Sequence, residues 1–258
     1  MRTQAISITL LITGLLTGCS TAPKTETKAE KTAPAAPVYF QVDPATAGSV
    51  TGKILFTGKK PAKKKIDLSE DPQCVKLHPA GLYDESVVVN PDGTLSNVFV
   101  YIKQGLEGKT FAIPAEAVTI DQSGCAFRPR VLGIQTGQTL NVTNSDPVTH
   151  NIHPLAQVNR AWNQSQEPDS EPLKRRFKER EVMIRVKCNI HSWMRAWIGA
   201  VEHPYFAVTG KDGKFELKNV PPGDYTIEVW HEQYGTQEQK VTVKPSAREE
   251  LAFTYKGE

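Results

Sequence analysis

At 258 residues, 39% hydrophobic and only 8% aromatic, the chain can hold one or two globular domains. Its formal net charge of +3 is mild and comes with no nucleic-acid motif, so nucleic acid is not expected among its partners. Gly and Pro, 18 of each, punctuate β-branched runs. No amphipathic stretch longer than about two helical turns stands out, so the expected class is all-β.

Residues 1–19 read as a targeting segment. Arg2 supplies a positive start, and Ala5–Leu16 is apolar but too short to span a bilayer. Leu16-Thr17-Gly18-Cys19 matches the bacterial lipobox, whose cysteine becomes lipid-modified. Cys19 is therefore the expected lipidation site, and its lipid the expected link to a membrane. By analogy with bacterial lipoproteins, Ser20 after it, in place of Asp, implies outer-membrane sorting in a Gram-negative cell and a cell-envelope protein facing the periplasm. Residues 20–47 follow as a flexible tether. Ser20–Pro37 holds no aromatic and no large aliphatic residue, too little to offset chain entropy. As a flexible chain that stretch reaches roughly 20–25 Å.

Residues 48–108 are expected to form the first part of a β-sandwich. In Gly48–Gly58 the side chains of Val50, Ile54 and Phe56 fall on one face at period two, the mark of a strand. Lys59–Lys65 places five lysines in seven positions, which reads as a solvated loop or as a docking patch for an acidic partner or anionic headgroups. Cys74 and His78 lie in an irregular stretch, as a possible second metal site or as one half of a disulfide. Ser86–Asn90 and Asn97–Lys103 flank Pro91-Asp92-Gly93, a hairpin signal. Val118–Val142 reads as a three-stranded meander with Phe127–Ile134 in the middle. Pro154–Arg180 is long and polar and ends with five basic residues in seven.

The chain converges on Val186–Met194, V-K-C-N-I-H-S-W-M, read together with Thr149–His153, T-H-N-I-H. Cys188, His191 and Met194 set a thiol, an imidazole and a thioether within seven residues, and His150 adds an imidazole from upstream. Two His, one Cys and a weakly held Met are the ligand set of a blue-copper electron-transfer centre. Soft sulfur suits Cu(I), and imidazole suits both oxidation states. Zinc, or no metal at all, remain the alternatives.

These residues resemble the cupredoxins, the blue-copper family. The resemblance covers about Val118–His203 and keeps the family's order: Phe127 and Pro129, then G-Q-T-L-N-V-T-N-S-D, then His150-Asn151, then a strand delivering Cys188. It implies one type 1 copper held by His150, Cys188 and His191, with Met194 as a long axial ligand. It implies that Asn151 hydrogen-bonds across to the cysteine loop. His153 is expected on the same strand face as His150, as a neighbour of the site and not a ligand. Trp193 and Trp197 are expected to pack beside the loop and shield it from water. At one end of such a sandwich, His191 is expected to reach the surface as the electron port. With Cys19 given to lipid and Cys188 to copper, Cys74 and Cys125 remain to form one disulfide.

Residues 205–258 change character. D-G-K-F and P-P-G-D-Y-T-I resemble the carboxypeptidase regulatory-like, or transthyretin-like, β-sandwich modules. The G-x-V-x-G-x-I strand with which such modules begin lies far upstream, at Gly48–Phe56. The expected fold is a cupredoxin-like Greek-key sandwich, residues 109–204, inserted in or followed by that sandwich. The expected function is a lipid-anchored carrier of single electrons between a donor and an acceptor redox protein, and not an enzyme. Copper binding or delivery without electron transfer is one alternative. A structural or carbohydrate-binding sandwich is another.

Overall fold

A computed structural model describes residues 37–258. Residues 1–36, with the expected signal peptide, Cys19 and most of the tether, lie outside the described residues.

The described chain is nearly all β. It opens with β1 (Gly48–Gly58), and a short helix, α1 (Pro72–Leu77), precedes β2 (Phe99–Gln104). Then come β3 (Val118–Gln122), β4 (Phe127–Arg128), β5 (Val131–Gln135), β6 (Leu140–Asn144) and β7 (His150–Pro154). Two short strands, β8 (Gln164–Gln166) and β9 (Leu173–Arg175), lead to β10 (Glu181–Lys187) and β11 (Arg195–Val201). The chain ends with β12 (Phe206–Val208), β13 (Lys214–Val220), β14 (Gly223–His231), β15 (Gly235–Val243) and β16 (Arg248–Gly257).

Four sheets make two cores. In the first, the sheet β13-β1-β16 faces β12-β2-β14-β15. Val50, Ile54 and Phe56 point inward, as their period-two spacing requires, against Val100, Ile102 and Phe253. β1 pairs antiparallel with β13 and parallel with β16 from Ser49↔Arg248 to Gly58↔Gly257. In the second, β4-β3-β6-β9 faces β5-β11-β10-β7-β8. Its core includes Ile120, Phe127, Leu140, Ile152, Val186 and Ile198. The chain thus leaves the first sandwich after β2, builds the second with β3–β11, and returns from β12 onward.

The two sandwiches meet through Phe99, Tyr101, Val131 and Val201. A Cβ on Gly199 would stand 2.6 Å from the Phe99 ring, so only glycine permits that approach. Arg130 closes the junction with two hydrogen bonds to Glu232, at 2.5 and 3.0 Å.

Several expectations change. The tether ends before residue 47: Phe40 N–H donates to the Thr110 carbonyl at 2.7 Å, and its ring meets Phe111 edge-on. Around Pro91-Asp92-Gly93 the hairpin shrinks to the single bridge Val89↔Leu95, because β2 takes β12 and β14 as its partners. The meander does not form. Pro129 has no N–H to continue a ladder, and Phe127–Ile134 breaks there into β4 and β5, which lie in different sheets. Pro154–Arg180 is ordered by β8 against β7 and β9 against β6.

Candidate metal centre

The β10–β11 turn builds most of the site. Cys188 N–H donates to the Met194 carbonyl at 3.2 Å, and Met194 N–H to the His191 carbonyl at 3.0 Å. His191 N–H points at Cys188 Sγ, 3.3 Å away. These bonds curl the turn so that thiol and imidazole face the same side. His150 enters from the first position of β7, which antiparallel pairing sets beside β10. Asn151 ties the two together: its Oδ1 accepts from Asn189 N–H at 3.1 Å.

His150, Cys188 and His191 converge, with their donor atoms all within 4.8 Å of one another. The two Nδ1 atoms stand 3.0 Å apart, and Cys188 Sγ lies 3.8 Å from His191 Nδ1. Met194 is buried in the same apolar cluster as Cys188. None of the four residues is more than 3% exposed.

The far nitrogens are also held. His150 Nε2 lies 2.7 Å from Asp146 Oδ2, and His191 Nε2 lies 3.0 Å from Asp71 Oδ2. A carboxylate only accepts, so each Nε2 carries a proton, and the two Nδ1 atoms are left to converge with the Cys188 sulfur. The donor set therefore fits a soft or borderline metal ion.

The electrostatics agree. Burial opposes ionisation of Cys188, but hydrogen bonds from the two imidazoles and from backbone N–H groups outweigh it and hold its pKa to about 6. Burial opposes charging of His150 and His191. Asp146 with Cys188, and Cys188 with Asp71, nevertheless raise them above the ordinary histidine range.

Trp193 lies with its ring 5.1 Å from that of His191, and its indole N–H donates to the Cys125 carbonyl at 3.0 Å. Trp197 does not shield the site; it packs on Trp230 at the junction, ring centres 5.0 Å apart. His153 sits on the opposite face from His150, because three positions along a strand reverse the side. It reaches Asn189 Oδ1 at 3.3 Å from the outside. His191 does not reach the surface: it is buried under the segment that carries α1.

That cover is covalently pinned. Cys74 and Cys125 form a disulfide, with Cα atoms 5.8 Å apart. Cys74 is thus no ligand for a Cys74–His78 site, and His78 Nε2 instead donates to the Gly124 carbonyl at 2.7 Å. The groupings Asp71–Cys74–His191 and Cys125–Asp146–His150 lose their thiols to the same bond. Asp71 and Asp146 had not stood out in the sequence. The signal for Asp71 was local: Asp-Pro opens α1, with Asp71 Oδ1 accepting from Gln73 and Cys74 N–H. Nothing local joined it to His191.

Residues 199–256 match the carboxypeptidase regulatory-like domain family. No curated protein matches the chain. Among solved structures, a Cu-containing nitrite reductase from Thermus scotoductus aligns at 22% identity over 39% of this chain and 25% of its own, with a TM-score of 0.32. The chain thus spans about a quarter of that enzyme's length. A purple cupredoxin from Nitrosopumilus maritimus aligns at 20% identity over 32% of this chain and 98% of its own, TM-score 0.28. A methionine-to-alanine mutant of amicyanin in its Cu(I) form aligns at 19% identity over 39% and 97%, TM-score 0.30.

Proposed function

We propose that the chain is a copper protein that carries single electrons between redox partners, tethered to the bacterial outer membrane by lipid on Cys19. One observation carries the copper reading: two imidazoles and a thiol of lowered pKa converge, buried, within 4.8 Å. His150, Cys188 and His191 would hold the ion, and Met194 would lie near it as a weak donor. Bound copper would supply one-electron chemistry. The protein's part is to keep Cys188 ionised, point both Nδ1 atoms inward, and exclude water through Trp193, α1 and the apolar end of the core. A turn closed by its own hydrogen bonds moves little between oxidation states, which favours fast exchange. Burial of all four side chains speaks for an ion retained as a carrier, not passed on as cargo.

The test is the visible spectrum of the purified protein with Cu(II). A thiolate-to-copper band is expected, and Cys188→Ser should remove it, since an alcohol stays protonated and binds copper poorly. A wild-type protein that takes zinc but never colours with copper would overturn the reading. The anchor has its own test. Cys19→Ser should leave the precursor unprocessed or the protein soluble; normal processing with retained membrane binding would refute it.

A further inference from the structure

We infer that Asp71 and Asp146 are positioning residues for this centre, and that Asp71 reaches it from outside the sandwich that carries the four ligands. The inference rests on the copper reading above.

Each carboxylate grips the Nε2–H of one imidazole, at 3.0 Å for Asp71 and 2.7 Å for Asp146. That grip fixes the tautomer in which Nδ1 is free to bind. Each carboxylate is itself held by backbone. Asp146 accepts from Gly124 and Cys125 N–H at 2.6 and 2.7 Å, and Asp71 from Gln73 and Cys74 N–H at 2.8 and 3.2 Å. Both anchors therefore include a half of the Cys74–Cys125 disulfide. One cross-link keeps the two carboxylates, and through them the two imidazoles, in register.

Their charge has a consequence for the ion. Two carboxylates and the Cys188 thiolate surround the site; Asp146 and Cys188 are buried and weakly screened, while the Asp71 side chain is 23% exposed at its edge. Such a surround holds a divalent ion better than a monovalent one. Asp71 and Asp146 thus bias the centre toward Cu(II), and the segment bearing α1 is part of what sets that bias.

The experiment measures Cu(II) and Cu(I) affinities of the full chain by chelator competition. The variants are Asp146→Asn, Asp71→Asn and Asp71→Ser. Serine keeps an N-cap acceptor for α1 but cannot reach His191. Cu(II) affinity is expected to fall about 10- to 100-fold in each, with a smaller fall for Cu(I). The ratio of the two affinities should therefore drop, and Asp71→Glu should restore part of it. A wild-type protein without the thiolate band would overturn the copper reading itself. A coloured wild type whose variants keep the wild-type ratio would overturn this inference alone. So would equal losses for both ions together with a lower melting temperature of the metal-free protein, since that marks a merely structural role.

Discussion

Burial lowers the pKa of every buried histidine, but the net shifts run in opposite directions, according to what faces each ring. His150 and His191 face carboxylates and are raised. His203 faces the Ile102 carbonyl at Nε2 and takes the Tyr205 N–H at Nδ1. Both of its nitrogens are engaged in the neutral form, and burial pushes its pKa down to about 4. His231 is also pushed to about 4, by burial and by Arg130. A depressed histidine stabilises the fold fully above the ordinary value of 6.5, and that stability is lost as pH falls toward 4. At 1.4 kcal/mol per unit, each contributes about 3 kcal/mol to the acid slope. His231→Phe should therefore flatten the fall in unfolding free energy between pH 7 and pH 4.5, read by urea denaturation of metal-free protein. An unchanged slope would contradict the assignment. At the centre, His150→Ala should abolish the copper spectrum while His153→Ala leaves it intact. Met194→Leu should retain copper with a raised reduction potential, since losing a weak donor disfavours Cu(II).

At the scale of elements, α1 depends on its cross-link. The Cys74–Cys125 bond spans 51 residues, which in the chain-entropy model stabilises by about 4 kcal/mol. The Cys74→Ala, Cys125→Ala double variant should lose that much in chemical denaturation, and its copper affinity should fall as Asp71 drifts from His191. An unshifted midpoint would refute this. Elements with a local signal were legible in the sequence. The alternation of Val50, Ile54 and Phe56 announced β1, and the Cys188–Met194 spacing announced the metal turn. What was not legible depends on distant partners. Asp71 and His191 are 120 positions apart, and no periodicity links them, so the cover over His191 stayed hidden and His191 was expected at the surface. The misplacement of His153 has a simpler cause, parity along a strand. The meander was lost to Pro129, whose effect is to redirect the chain between sheets.

At the scale of the molecule, the first sandwich depends on strands from both ends of the chain. β1 is the middle strand of β13-β1-β16, and β2 lies between β12 and β14. A fragment of residues 205–258 lacks both, although most of the family-matched segment lies inside it. It should show no cooperative thermal transition by circular dichroism, and a sharp melt would contradict the shared sandwich. The β1–β16 pairing also sets an order of events during synthesis. β1 emerges from the ribosome well before its parallel partner, β16, which follows only after β2–β15. At 5–20 residues per second, β1 waits roughly 10–40 s for it, while β3–β11 can already close around their own core. An unpaired strand left waiting invites pairing with a neighbouring nascent chain. The exposed run Lys59–Lys65 stands directly at its end, where like charge on two copies opposes that encounter until Arg248–Gly257 arrives.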